Sequence, residues 1–343
     1  MIYGLWPLLK DGHLDPHYYN CSGHTREEWF AKGRPRPLLA IYLEVTGTVF
    51  MLFYVLSLIG MIKAKLILKS PCYVIMVFMG IGDLTMIVMS SWISGYLMWI
   101  GAVFCTNQHL IYTTGTLGLG MWSSSCCCCI MLATNRLAEI ADWHFVTELL
   151  TKKVCTVICA LGLCYGMSIT LFTPSALFHS PLGAWFFNPY TDNSASLYYD
   201  NIPHRANNAI VSIFAIFIYS YMCYKAAKNW GWATGASKAQ RMLYIQAFII
   251  CSTHVLAAWG YLFMNYVPGF PQSLMVLGHV AWQWSHGVPG VVYLLLNQTI
   301  KTTIIEMFGL SKKKTKPYFF GNHESKSEKS NTELTKKTRS SLH

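Results

Sequence analysis

The stretch VFCTNQHLIYTTGTLGLGMWSSSCCCCIML, Val103–Leu132, runs for thirty residues without an Asp, Glu, Lys or Arg, and Asn135-Arg136 follows shortly after it. A helix needs about 20 mainly apolar residues to cross the hydrocarbon core of a bilayer. The bilayer cannot hydrate backbone amides, so such a segment satisfies them internally, as a helix. Six further windows have the same character: Leu38–Ile62, Cys72–Ile100, Val154–Phe172, Asn208–Tyr224, Met242–Val267 and Leu274–Ile300. The fifth in order, Asn208–Tyr224, is the shortest. Together the seven windows predict an all-α membrane protein, a seven-transmembrane-helix bundle with a short amphipathic helix after the seventh.

Composition agrees with this reading. Hydrophobic residues make up 53% of the 343 and charged residues only 12%, about half the charge of a soluble domain. Residues 1–37 are expected to form an N-terminal segment, residues 38–310 the helical domain, and residues 311–343 a disordered basic tail. Met1–Leu9 is too short for a cleavable signal peptide, so the first span is expected to direct its own insertion.

Basic residues set the predicted orientation, because short cytoplasmic loops retain Lys and Arg. With the N-terminus outside, Lys63, Lys65, Lys69, Arg136, Lys152, Lys153, Lys225, Lys228, Lys238 and Arg241 fall inside, with ten more after the seventh span. That is 20 of the 26 basic residues. Arg26, Lys32, Arg34 and Arg36 before the first span oppose this locally, and the later loops outweigh them. The sequon Asn20-Cys21-Ser22 falls on the predicted outer side, which makes Asn20 a candidate glycosylation site. The net charge of +11 resides in the tail and inner loops. Lys312-Lys313-Lys314-Thr315-Lys316 reads as ordinary retention of positive charge, or as contact with the anionic inner leaflet. No folded basic surface with aromatic platforms is available for nucleic acid.

Of the twelve cysteines, only Cys21 and Cys105 fall on the oxidising side, and the second outer loop contains none. A Cys21–Cys105 disulfide is the expectation; two free thiols or an intermolecular bond are the alternatives. The run Cys126-Cys127-Cys128-Cys129 cannot converge on one metal ion, because consecutive helical residues point about 100° apart. Filling of helix contacts is its expected role, and neither metal nor cofactor is expected.

Several segments carry a resemblance. They are Tyr19-Asn20-Cys21-Ser22, Pro71-Cys72-Tyr73 leading to Gly80-Ile81-Gly82-Asp83, Gly95-Tyr96 leading to Phe104-Cys105, and Ala133-Thr134-Asn135-Arg136. Trp185-Phe186-Phe187-Asn188-Pro189-Tyr190 and Pro289-Gly290-Val291-Val292-Tyr293-Leu294-Leu295-Leu296-Asn297 continue it. In order and placement, over about residues 15–310, the chain resembles the nematode serpentine receptor class T chemoreceptors. These are seven-helix G-protein-coupled receptors distantly similar to the rhodopsin-like class. The resemblance implies a plasma-membrane receptor that binds a small molecule from outside and activates a heterotrimeric G protein within.

By that resemblance Asn135-Arg136-Leu137 takes the place of the Asp-Arg-Tyr element at the inner end of helix three. An arginine there can tie the inner helix ends in one state and meet a partner's carbonyls in another; a snorkelling interfacial arginine is the plain alternative. Asn135 replaces the acidic neighbour, so that neighbour cannot supply an ionic restraint. Asp83 falls near the bilayer midplane, where a charge is costly and marks function. The resemblance puts it at the sodium site of rhodopsin-like receptors. The sequence departs from that pattern at Val288 and in the late position of Tyr293. Asp83 then bonds Ser285 or His286, or is protonated. Pro289 is expected to kink helix seven. Glu44 is expected to pair with polar groups of helices two and seven or to meet a ligand.

An inward-facing Arg136 fixes the phase of helix three. Ile111, Gly115, Gly118, Trp122 and Cys129 then fall within about 60° of its direction. Gly115 and Gly118 would leave space over a Trp122 floor, with Trp92, Tyr112, Trp259, Tyr261 and Trp282 as aromatic walls of a small-molecule pocket. Helix packing by Gly and interfacial anchoring by Trp and Tyr are the competing roles. A transporter or channel is the alternative function, without an internal repeat or a charged pathway to support it. A membrane enzyme lacks Glu-x-x-His spacing and a Gly-x-Ser-x-Gly elbow.

Overall fold

The computed structural model describes residues 4–192, 194, 199–230 and 238–310, without the side chains of 226–230, 238–240 and 243. The basic tail 311–343, with its lysine cluster, and the side chains of Lys228 and Lys238 lie outside the described residues.

Among the described residues, six helices are long and apolar enough to cross a membrane: Pro37–Lys63, Pro71–Trp99, Gln108–Ile140, Lys152–Phe172, Ile202–Lys225 and Tyr244–Tyr266. They are called spans one to six. The last two belong to longer helices, Ile202–Trp230 and Lys238–Tyr266. A further helix, Gln272–Leu296, packs against spans six, one and two and is called span seven. Four of its polar residues, His279, Gln283, Ser285 and His286, are buried. They lower its hydropathy and face neighbouring helices. Large apolar residues such as Val45, Leu52, Ile81, Leu161, Phe217 and Leu277 stand exposed on the outer surface, as a bilayer solvent permits.

Helix ends depart from the apolar windows for local reasons. Span three starts at Gln108, because the preceding Phe104–Thr106 forms a tight 3-10 turn that carries Cys105. It then continues to Ile140, past Arg136. Span five starts at Ile202, six residues before its window: the Asn201 carboxamide caps it by accepting from the His204 backbone N–H at 2.9 Å. Span seven stops at Leu296. Asn297 caps the next helix, Gln298–Met307, accepting from the Ile300 N–H at 3.2 Å. Ile300 therefore belongs to that short helix, where it and Ile304 are buried against Gly60 of span one.

Span two contains a wide turn of π-helix, Val88–Ile93, between two α-helical segments. Such turns shift the ladder by a residue and free backbone carbonyls. Here the Ser90 carbonyl accepts from His279 Nε2 at 3.1 Å.

The Cys21–Cys105 disulfide is formed, with a Cα–Cα distance of 5.5 Å. It draws the amino-terminal segment over the end of the bundle. The loop between spans four and five folds over the same end as an antiparallel hairpin, Leu177–His179 with Ala184–Phe186. Arg36 Nε donates to the Ser180 carbonyl at 2.8 Å, and Nη2 donates to Pro181. The Trp185 indole N–H donates to Ser94 Oγ at 3.0 Å. Hairpin, amino-terminal segment and span two are thus tied together.

Candidate functional site

Beneath the hairpin lies a cavity of about 40 Å³, room for roughly three waters. Span three supplies Thr114, Gly115, Gly118, Leu119 and Trp122; the hairpin region supplies Ala176, Trp185 and Phe187. His204 and Asn208 of span five, Tyr261 and Asn265 of span six and Trp282 of span seven complete it. None of these residues carries a formal charge.

Of the expected pocket residues, Gly115, Gly118, Trp122, Tyr261 and Trp282 line the cavity. Gly118 leaves the space expected of it: a Cβ there would meet Met89 Sδ and Trp282 Cζ2 at 3.9 Å, an ordinary contact. Gly115 does not, because a Cβ would fall 1.7 Å from the Ala176 carbonyl oxygen. Its missing side chain admits the loop rather than a ligand. Tyr112 is buried but lies outside the lining. Its hydroxyl donates to the Gly4 carbonyl at 3.1 Å, and its ring meets Tyr19 edge-on. Trp92 and Trp259 are not walls at all. Trp92 is 39% exposed and donates to Thr48 Oγ1; Trp259 is 38% exposed and stacks on Phe263. Both stand on outer helix faces, where tryptophan suits the membrane interface.

The sequence reading missed Ala176, Trp185 and Phe187 of the loop region and Thr114, Leu119, His204, Asn208 and Asn265 of the helices. His204 had a visible signal. Asn201-Ile202-Pro203 has the form of a capping residue followed by a first-turn proline, which moves the helix start upstream.

Trp122 joins the cavity to a polar cluster below it. Its indole N–H donates to Asn208 Oδ1 at 2.7 Å, and its ring stacks on His254 and meets His286 edge-on, with centroids 5.7 Å apart in both cases. His286 Nδ1 lies 2.7 Å from Asp83 Oδ1. Tyr54 donates to Asp83 Oδ2 at 2.6 Å, and Ser125 Oγ lies 3.2 Å from Oδ1 and 3.3 Å from His254 Nε2. His254 Nδ1 donates to the Ile250 carbonyl at 3.0 Å, so its Nε2 accepts. The single Ser125 proton thus faces two acceptors. Of the partners open to Asp83, His286 makes the bond, while Ser285 Oγ donates to the Trp282 carbonyl at 2.8 Å. An imidazole and two hydroxyls thus lie against the two carboxylate oxygens of Asp83.

Glu44 does not reach span seven. Its side chain lies over Gly95 of span two, so closely that a Cβ there would fall 2.6 Å from Glu44 Cγ. Gln283 takes the interhelical role instead, donating to the Leu43 carbonyl at 2.7 Å and to Ser91 Oγ at 2.9 Å.

At the opposite end of the bundle Arg136 is 6% exposed. Nη1 donates to Glu139 Oε2 at 2.6 Å, and Nη2 points at Cys72 Sγ of span two. Glu139, one helical turn on, supplies the carboxylate that Asn135 lacks. The i,i+3 spacing placed it on the same helix face. Asn135 is buried, and its Oδ1 has no hydrogen-bond partner among the described residues. Pro289 and Tyr293 are buried in span seven. Tyr293 meets Tyr54 edge-on at 6.1 Å, which connects this end with the Asp83 cluster.

Charges also pin the covered end. Asp192 bonds Lys32 Nζ at 2.7 Å and His24 Nε2 at 2.8 Å, and the Lys32 hydrogen bond holds its carboxyl below the usual range. Burial pushes the His179 imidazole down to about 4. Asn20 accepts from the Ser22 backbone and hydroxyl through Oδ1.

The family described as "Serpentine type 7TM GPCR chemoreceptor Srt" matches residues 5–317. Serpentine receptor class T-55 of Caenorhabditis elegans is 25% identical over 304 residues, covering 87% of this chain and 82% of the relative. A match over nearly the whole chain, on a bundle of this form, leads to one conclusion: this multi-pass membrane protein belongs to the serpentine Srt chemoreceptor family.

Proposed function

We propose that the chain is a plasma-membrane chemosensory receptor, amino-terminus outside. It binds a small molecule in the cavity and activates a heterotrimeric G protein at the Arg136 end. The observation that carries this reading is the contact of the Trp122 floor with His254 and His286, one step from Asp83. A ligand that moves the Trp122 ring disturbs a buried polar cluster, and buried clusters of this kind rearrange between discrete states.

The orientation is supported by the basic loops and by the disulfide, which belongs in oxidising space. It also leaves Asn20 accessible for glycosylation. The short helix Gln298–Met307, with Ile300 and Ile304 turned to the bundle and Lys301 exposed, suits the inner membrane interface.

In the arrangement described, Arg136 is held by Glu139 and buried against Cys72, which fits a resting state. The test needs no ligand. Nucleotide exchange on an added heterotrimeric G protein is measured at matched receptor levels. Glu139→Gln should raise basal exchange by releasing Arg136, and Arg136→Ala should abolish it. Normal exchange by Arg136→Ala would remove the arginine from the mechanism.

A further inference from the structure

The cavity's hydrogen bonds dictate the protonation of one histidine and, through it, the chemistry of what can bind. The Trp122 indole nitrogen can only donate, so the atom it meets at 2.7 Å is the oxygen of Asn208. The Asn208 amide nitrogen is therefore the group facing His204 Nε2 at 3.3 Å. That nitrogen donates, so Nε2 must offer its lone pair. A neutral imidazole that accepts at Nε2 carries its proton at Nδ1. A protonated imidazole would set two donors against each other at Nε2 and is excluded by the same contact.

His204 lines the cavity and is 5% exposed, and Nδ1 has no hydrogen-bond partner among the described residues. A buried N–H without an acceptor is costly, and a bound acceptor removes that cost. The rest of the lining excludes charged ligands. It has no carboxylate to pair with an amine and no Lys or Arg to pair with an acid, and an unpaired charge in such a site is far costlier than a neutral group.

We propose that the cavity selects small uncharged ligands with an acceptor oxygen, such as ketones, esters or ethers, whose oxygen accepts the His204 Nδ1 proton. The apolar remainder packs on Trp122, Trp185 and Trp282. The proposal rests on the reading of this cavity as the ligand site.

Acetone and isobutene, small enough for a cavity that holds about three waters, share a shape and differ in the acceptor. Their affinities for the purified full-length receptor in nanodiscs follow from the concentration dependence of its thermal unfolding midpoint. The ketone should bind wild type about tenfold more tightly, the worth of one buried hydrogen bond. His204→Phe should bind the two alike. Equal affinities in wild type would overturn the acceptor requirement and leave the cavity reading standing, and this comparison needs no variant to fold. A preference that survives in His204→Phe would remove His204 from recognition. If neither compound binds wild type, the cavity reading falls and the acceptor proposal with it.

Discussion

Cutting the Cys21–Cys105 bond should cost about as much as the chain freedom it removes. The two residues are 84 apart in sequence, and for a chain released into water that separation gives about 4.5 kcal/mol at 25 °C. An unfolded receptor in detergent or lipid keeps its first two spans inserted. The freed run is then the stretch of about 15 residues from Cys21 to the start of span one, which gives about 3 kcal/mol. The expected loss is therefore between these limits. Cys21→Ser, Cys105→Ser and the double variant should lose the same amount, because the second substitution has no bond left to break. Thermal or denaturant unfolding of the purified receptor, with and without reductant, reads this directly. Both sulfurs belong to half-buried residues, so reductant should bring wild type down to the variants and leave the variants unchanged. Additive losses in the double variant, or a wild-type transition indifferent to reductant, would refute the reasoning.

Two glycines one turn apart should behave oppositely. Gly118→Ala meets only ordinary contacts and should fold normally while weakening small-molecule binding, because its methyl enters the cavity. Gly115→Ala drives a Cβ into the Ala176 backbone and should lower the unfolding midpoint sharply, where overpacking typically costs 1–3 kcal/mol. His179 has a folded-state value near 4, below the unfolded value of about 6.5. The unfolded chain therefore takes up the proton first. Stability should be full above pH 6.5 and fall as the pH drops towards 4, by no more than about 3.4 kcal/mol. His179→Phe should flatten that slope, as measured by unfolding midpoints across the range.

Six spans, and the helix Gln272–Leu296 packed against them, were legible because bilayer thickness and backbone desolvation leave so few alternatives. The phase of helix three was legible because Arg136 supplied an anchor: Ile111, Gly115, Gly118, Trp122 and Cys129 are all buried. No comparable anchor fixed the rotation of spans two and six. Trp92 and Trp259, with equal affinity for a pocket wall and a membrane interface, were therefore assigned to the wrong faces. Trp185 and Phe187 reach the cavity through a hairpin whose position depends on contacts distant in sequence, such as Arg36 with Ser180. His204 was hidden by its own polarity, which cut the apolar window short at Asn208. Gly115 shows the remaining gap: a missing side chain announces close approach, yet its sequence does not say whether loop or ligand approaches.

The central claim is that the cavity, its Trp122 floor and Arg136 form one signalling unit. Nucleotide exchange on an added heterotrimeric G protein, in receptor nanodiscs exposed to a set of small uncharged ketones and esters, tests it most directly. Wild type should respond to members of the set. Gly118→Leu, which fills the cavity, should lose the response while keeping its basal exchange, and Arg136→Ala should lose both. A ligand response that persists undiminished in folded Gly118→Leu, or in Arg136→Ala, would contradict it.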